Sequence, residues 1–253
     1  MKKKEKNKQI VTLAAVLFAL LFWQLAAKRL DQSLLIPEPE EVLLRLWQII
    51  KNKELFFAAG NSLGAISGGF FAALLLAVCL AALSAWREEI EIFLAPYMLA
   101  IKTVPVASFI IIALIWLSAK NLSSFISFLM VLPIIYTNVL EGIKNTDRQK
   151  LFMCEIFRVS SFKKLLYVYL PGLRTYLYSA LSVSVGIAWK AGVAAEVIGI
   201  PEGSMGRRLY DAKIYLDTPS LLAWTLGIIL ISLLFEQLIL LGVRAFYTAL
   251  EKI

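Results

Sequence analysis

Long runs of uncharged, apolar residues constrain the fold of this chain more than any other feature. Six of them lie at about 10–27, 60–85, 95–119, 122–140, 173–193 and 218–241. A run of about 18 residues or more can satisfy its backbone hydrogen bonds inside lipid only as an α-helix. We therefore predict an all-α integral membrane protein with about six transmembrane helices. The composition agrees, because a chain of 253 residues that is 60% hydrophobic cannot hide those residues in one soluble core.

The first and third runs each allow two interpretations. The first follows a lysine-rich N-terminus and is either a secretory signal or, as its length favours, an uncleaved first span. The third is interrupted by Lys102 and Pro105. Either an interfacial helix over 88–101 leads into a span that begins near Thr103, or one helix is bent at Pro105.

The positions of lysine and arginine predict the orientation and location of the chain. With the N-terminus in the cytoplasm, 15 of them fall inside and 10 outside, with Lys102 unassigned, as expected for a multi-pass protein of the inner or plasma membrane. The net charge of +8 suits anionic lipid or an acidic protein face, and we expect no nucleic-acid partner.

This topology divides the chain into four parts. Residues 1–30 form the cytoplasmic lysine cluster and the first transmembrane helix, and 31–56 form an external amphipathic connection. Residues 57–245 form the membrane core, with a cytoplasmic loop at about 141–171, and 246–253 form a cytoplasmic tail.

Two shorter patterns predict helix surfaces. Val42, Leu46 and Ile49 recur at helical spacing in the external connection, which predicts an amphipathic helix that either lies on lipid without a specific partner or docks on protein. Gly60, Gly64 and Gly68 open the second span at intervals of four. Small residues at this spacing allow close helix packing, either within the chain or against a second subunit.

The segment "CEIFRVSSFKKLLYVYLP", from Cys154 to Pro171, is cationic and half apolar. Ser160 and Ser161 are good helix N-caps, so we predict two short helices that meet at Val159–Ser161, the second running from Phe162 into the bilayer. The resulting bend would project into the cytoplasm and fit a groove on a soluble partner. A cationic helix lying flat on lipid is the equally favoured alternative.

This segment resembles the coupling loop of permease subunits in binding-protein-dependent ABC importers. That signature reads Glu-Ala-Ala, three residues, Gly, and about nine residues to a hydrophobic residue, any residue and Leu-Pro. Leu170 and Pro171 match its end, and Val168 matches the hydrophobic position. Phe152 stands where the signature Glu belongs, and Arg158 stands where the Gly belongs.

The resemblance extends over most of residues 35–245. The stretches "IPEPEEVLLRLWQII", "LAPYMLAIKTVPVASFIIIALIWL" and "GIAWKAGVAAEVIGIPEGSMGRRLYDAK" are similar, in order, to permeases of the nitrate, sulfonate and taurine branch, which includes permeases for thiamine precursors. The resemblance implies the type I ABC importer permease (MetI-like) architecture. It also implies a second permease subunit, identical or a paralogue, two cytoplasmic ATPase subunits, an external solute-binding protein and a small-molecule solute.

Two groups of residues are candidates for functional roles. Polar residues in or beside spans are candidates for the translocation path, because they are costly in lipid. For two such residues, Lys190 and Glu196, a structural role is the alternative. The Lys190 side chain then reaches to the headgroups, and Glu196 pairs with Lys190 or caps the loop that begins at Gly199. The path candidates are Lys102, Pro105, Trp189, Lys190 and Glu196. The residues of the ATPase-coupling loop are Phe157, Arg158, Val159, Ser160, Ser161, Phe162, Leu170 and Pro171.

Several chemistries lack their sequence patterns. The chain has no Gly-x-x-x-x-Gly-Lys-Ser/Thr phosphate loop, so we expect ATP hydrolysis on a separate subunit and no enzyme activity here. It has no histidine, and Cys79 and Cys154 lack metal spacing, so we expect neither metal nor cofactor. An ATP-independent secondary transporter is the alternative function, and a membrane-embedded enzyme is less favoured.

Overall fold

The structure, a computed structural model, describes residues 2–30 and 36–250, with side chains for 11–29 and 36–250. Every regular element in this part of the chain is a helix, as predicted. The elements are α1 (Lys2–Leu30), α2 (Pro39–Lys51), α3 (Glu54–Trp86), α4 (Glu88–Thr103), α5 (Val106–Trp116), α6 (Ala119–Lys144), α7 (Arg148–Ile156), α8 (Ser161–Lys164), a π-helical turn (Leu165–Tyr169), α9 (Leu170–Gly199), α10 (Met205–Ile214) and α11 (Thr218–Leu250).

The prediction of about six membrane spans is confirmed. Among the described residues, five helices are long and apolar enough to cross a bilayer, and a sixth span is present if the bent pair α4–α5 counts as one. The five are α1, α3, α6, α11 and one continuous helix of 39 residues, Ser161–Gly199, which joins α8, the π-helical turn and α9. These helices are longer than the uncharged runs, because their ends extend beyond the hydrocarbon depth of about 30 Å.

Helix α6 lies at the centre of the bundle, between α3 and α9. Its Ile126, Val131 and Ile135 are fully buried. Helix α11 packs against α9 and also contacts α3, where Phe235 meets Phe70. By contrast, α1 packs on α2, and most of its described apolar side chains are exposed, which is expected of a helix that faces lipid.

The bundle has two distinct ends. Helices α7 and α8 lie at the end where α6 stops and α9 begins, which we call the loop end. Helices α2 and α10 pack where α11 begins, which we call the opposite end.

The third span breaks where the sequence predicted. Helices α4 and α5 meet at 103°, and the break of two residues between them is Val104-Pro105. Proline has no backbone N–H and disfavours helical geometry in the residue before it, so a helix ends at this position readily. The short helix α5 then packs on α6 and α9 through Ile110 and Ala113.

Helix α2 docks on the bundle. The predicted amphipathic helix is confirmed, and its Val42, Leu46 and Ile49 are buried in the main core beside α11 and α3. Arg45 fixes the position, because its Nε donates to the Ser220 hydroxyl at 2.7 Å. A helix that lies on lipid without a specific partner is therefore the wrong interpretation of this segment.

The predicted glycine face, which consists of Gly60, Gly64 and Gly68, does not form a close contact between helices of this chain. A Cβ added at Gly60 or Gly64 would find no atom within 4 Å, and one at Gly68 would make only ordinary contact with Ser124. Close intramolecular packing at Gly60 and Gly64 was therefore the wrong prediction. The close approach is at Gly69, where an added Cβ would lie 2.9 Å from the Ser124 carbonyl carbon and closer still to its oxygen. Contact with a second subunit stays a prediction for Gly60 and Gly64.

Candidate functional site

The loop between α6 and α9 is built from two capped helices. The Asp147 carboxylate accepts a hydrogen bond from the Gln149 backbone N–H at 2.9 Å and caps the start of α7. At the far end of α7, the Arg158 N–H donates to the Glu155 carbonyl and the Val159 N–H donates to the Cys154 carbonyl. This pair of bonds is the Schellman arrangement, which ends a helix with one residue in left-handed geometry.

Arg158 is that left-handed residue, with φ of 48°. Glycine is favoured at this position because it has no Cβ to clash with the backbone. The backbone therefore explains why a glycine suits the position of Arg158 in the coupling-loop signature that the sequence resembles. The arginine adopts the same turn in this chain, at some steric cost.

The predicted junction of two helices is confirmed. Ser160 occupies the N-cap position of α8 and accepts a hydrogen bond from the Lys164 N–H through its backbone carbonyl, although its side chain makes no capping bond. From Ser161 the chain continues as helix, through the π-helical turn, into the long span that ends at Gly199. Leu170 and Pro171 lie directly after that turn, in the first turn of α9.

The loop exposes a patch of large apolar side chains. Phe157 is 73% exposed and Phe162 is 72% exposed, and α7 itself buries no residue. Exposed apolar patches of this kind occur where a protein meets another protein or the membrane. Sequence reasoning missed the contribution of α7, although its apolar residues recur at i, i+1 and i+4 after the Asp147 cap. The loop patch consists of Phe152, Met153, Ile156, Phe157 and Phe162.

The structure separates the best predicted group of path residues. Trp189 is 2% exposed and packs against Phe235 in the core, with ring centroids 6.3 Å apart. Glu196, two turns further along α9, is also buried, as their spacing predicted. Lys190 is exposed elsewhere on the helix, so its predicted pairing with Glu196 is wrong.

Glu196 joins three helices at the opposite end. It is 1% exposed, and its Oε2 accepts hydrogen bonds from the Ser62 hydroxyl of α3 at 2.8 Å and from the Gly206 N–H of α10 at 3.0 Å. The Ser62 oxygen in turn accepts from the Met205 N–H at 2.9 Å. Ser204 is the N-cap of α10, and the Glu196 carboxylate accepts a further N–H of the first turn, where the helix dipole favours a negative charge. This first turn directly follows the loop that Glu196 was expected to cap.

A cavity of about 750 Å³ lies beside this cluster. Gly60 and Gly64 line it, which explains why no atom of the chain lies against them. Its polar groups come from four segments: Asn61 on α3, Lys120, Asn121, Ser123 and Ser124 on α6, Glu196 on α9, and Glu202 and Ser204 before α10.

The two other path candidates lie apart from this cavity. Lys102 is exposed, and its Nζ lies 3.4 Å from the Thr137 hydroxyl, in a second cavity of about 380 Å³ near the loop end. That cavity also holds the ion pair between Lys144 and Glu91. Pro105 marks the break between α4 and α5. Among the described residues, no cluster of acidic or cysteine side chains is placed to hold a metal ion.

Comparison with known proteins assigns the family. The family described as "Binding-protein-dependent transport system inner membrane component" matches residues 69–251, which is more than half of the chain. This chain belongs to that family. It is therefore a multi-pass membrane permease of the ABC transporter class and not itself an enzyme.

Individual relatives of this chain are permeases named for several different small solutes. The taurine transport system permease protein TauC of Escherichia coli K12 is 26% identical, over 93% of this chain and 86% of TauC. The putative aliphatic sulfonates transport permease protein SsuC of Bacillus subtilis 168 is 27% identical, over 83% of this chain and 76% of SsuC. The formylaminopyrimidine transport permease protein ThiX of Halalkalibacterium halodurans is 25% identical, over 74% of this chain and 75% of ThiX.

Proposed function

We propose that this permease forms the translocation path of an ATP-driven importer and couples, through the α7–α8 loop, to a separate cytoplasmic ATPase subunit. The observation that carries the proposal is the exposed loop patch next to basic residues. In the proposed assembly, a second permease subunit, two ATPase subunits and an external solute-binding protein complete the transporter. The N-terminus and the loop end then face the cytoplasm, and α2 and α10 face outward.

The construction of the loop supports this role. Large aromatic side chains at the centre of an interface bind well when a partner can enclose them, and Phe157 and Phe162 are available for this. Arg158 lies between them and can pair with a carboxylate at the rim. Because α8 is continuous with a membrane span, a displacement of the loop is passed directly to the bundle.

The proposed path begins at the cavity beside Glu196. Its position at the opposite end suits a chamber that receives solute from an external binding protein, and alternating access would then open the path toward the loop end. The names of the relatives include taurine, aliphatic sulfonates and formylaminopyrimidine. We propose a small polar solute, for which Lys120 and the amides of Asn61 and Asn121 offer hydrogen-bond donors.

The double variant Ser160→Asp/Phe162→Asp tests the docking role. It places two negative charges on the loop patch, and we expect it to abolish ATP-driven uptake and ATPase association while membrane insertion stays intact. Tyr215→Asp is the control for ATPase association, because Tyr215 is 81% exposed after α10 at the opposite end, and this variant should still bind the ATPase. Co-purification with the ATPase and solute uptake into proteoliposomes provide the measurements.

Two outcomes would reject the proposal. Normal uptake and normal ATPase association in the double variant would show that the loop patch is not the docking site. Solute uptake by the purified permease without any ATPase would favour a secondary transporter instead.

A further inference from the structure

A cleft between the start of α9 and the end of α11 combines two arginines with several hydroxyl groups. It lies at the loop end, apart from the loop patch, and has a volume of about 520 Å³. We propose that this cleft binds an anionic phosphate group, supplied by a membrane phospholipid headgroup or by phosphate in solution. The residues that line it include Arg174, Thr175, Tyr178, Ser179, Ser182 and Arg244.

Arg244 is held in place by Tyr178. Its guanidinium donates to the Tyr178 hydroxyl at 2.8 Å and lies 5.5 Å from the centre of the Tyr178 ring. A guanidinium carries five N–H donors in one plane, so a single bond to tyrosine leaves donors that can bind a phosphate in bidentate geometry. The hydrogen bond and the neighbouring ring restrict the guanidinium before any ligand arrives.

Arg174 supplies the second guanidinium, from α9. Its guanidinium carbon lies 5.7 Å from the centre of the Tyr247 ring, so each arginine of the cleft is positioned by an aromatic ring. Thr175 and Ser179, one helical turn apart on α9, add hydroxyl donors along the same wall. Planar guanidinium donors together with hydroxyls are the groups that proteins use to bind phosphate.

The charge distribution places an anion toward the loop end of the cleft. Glu236 accepts a hydrogen bond from Ser182 at the deep end, and it precedes Arg244 by two helical turns, about 12 Å along α11. The carboxylate would repel an anion at that depth. Toward the loop, Lys163 and Lys164 on α8 add positive charge.

The depth of the two arginines matches the headgroup layer. Arg244 lies 26 residues after the start of α11, which is about 39 Å along the helix, and Arg174 lies 25 residues before the end of α9, about 37 Å. At the average helix tilt of about 20°, both distances correspond to about 35 Å along the bilayer normal. If α11 begins and α9 ends at the outer boundary of the hydrocarbon core, which is about 30 Å thick, both guanidiniums lie about 5 Å beyond its inner boundary. That depth is within the headgroup layer of a bilayer about 40–45 Å thick.

Lipid retention by the full-length permease tests the proposal. The detergent-purified chain would be incubated with equal mole fractions of phosphatidylglycerol and phosphatidylcholine, and the bound lipid would be counted by native mass spectrometry. We expect each arginine to contribute about a fivefold preference for phosphatidylglycerol. Arg244→Gln and Arg174→Gln should each lose about that factor, and the double variant should show no preference.

The control separates this cleft from general positive charge. Arg87→Gln makes the same change in net charge near the loop end, where Arg87 follows α3 and lies over the Trp86 ring, and it should retain the wild-type preference. If the double variant does not fold, Tyr178→Phe and Arg244→Lys test the same geometry more mildly. Each should weaken the preference without removing the charge.

A second arm distinguishes the two sources of phosphate. Inorganic phosphate at millimolar concentration should not displace the lipid if the headgroup is the ligand. Displacement that depends on Arg244 would assign the same cleft to phosphate in solution. The proposal is wrong if the preference survives in the double variant, if Arg87→Gln removes it equally, or if wild-type protein binds neither form.

Discussion

Replacing Gly69 by alanine should separate the two helices that form the largest interface of the bundle. A Cβ at this position would lie 2.9 Å from the Ser124 carbonyl carbon, 3.1 Å from the Phe128 nitrogen and closer still to the Ser124 oxygen. All three neighbours are backbone atoms of α6, so no side-chain rotation can relieve the clash. Helix α3 would have to move by about 1 Å, because carbon and backbone atoms normally approach to about 3.5–4.0 Å.

The expected loss of stability follows from this displacement. Forcing one methyl group into a packed interface typically costs about 1–3 kcal/mol, and the rigid backbone neighbours place Gly69→Ala at the upper part of that range. Gly64→Ala on the same helix is the matched control, because its Cβ would find no atom within 4 Å. Alanine is also the better helix former, by up to about 1 kcal/mol, so this control should be neutral or stabilising in the isolated chain.

Thermal unfolding in detergent, followed by size-exclusion chromatography of heated samples, compares the two variants directly. We expect Gly69→Ala to melt below the wild-type protein and Gly64→Ala to melt at or above it. Equal melting temperatures for both variants would refute the close approach of α3 and α6 at Gly69. A lower melting temperature that is seen for Gly64→Ala only in the assembled transporter would instead locate a subunit contact at Gly64.

Two further predictions concern single side chains. Glu196→Ala should destabilise the chain by about 3 kcal/mol or more in thermal melts, because it leaves the Ser62 hydroxyl and the Gly206 N–H buried without their acceptor. Glu196→Gln keeps an acceptor oxygen and should lose less than half as much, so equal losses would contradict the capping role. Arg158→Gly should slow hydrogen exchange at the Val159 amide, because glycine adopts the left-handed turn without the steric cost of about 1 kcal/mol. Arg158→Ala keeps that cost and should leave exchange unchanged, and a similar slowing in both variants would point to charge as the cause.

The spans and the loop were predictable because strong local constraints determine them. Lipid requires long apolar helices, so the six runs marked the spans, and Pro105 marked the break between α4 and α5. Ser160 likewise indicated where the loop helices meet, and the Leu170-Pro171 pair indicated where α9 begins. Each of these signals acts within a few residues of its position.

The contacts between helices were not predictable in the same way. Helical spacing placed Trp189 and Glu196 on one face of α9, but it did not show that Gly206 and Ser62 would supply donors to the carboxylate. Helical spacing also could not show whether Gly68 or Gly69 makes the close contact with α6, because the rotation of α3 against α6 depends on side chains from both helices. The docking of α2 on α11 depended on Ser220, which is distant in the sequence.

The continuous helix from Ser161 to Gly199 can act as a rigid lever between the loop end and the opposite end. With 39 residues it is about 58 Å long, and it carries Phe162 near one tip and Glu196 near the other. If it pivots about its midpoint by about 10°, each tip shifts by about 5 Å, in opposite directions. A lateral displacement of the loop patch would therefore move Glu196, which holds α10, in the opposite direction. The helix itself would transmit this motion, without movements of intermediate side chains.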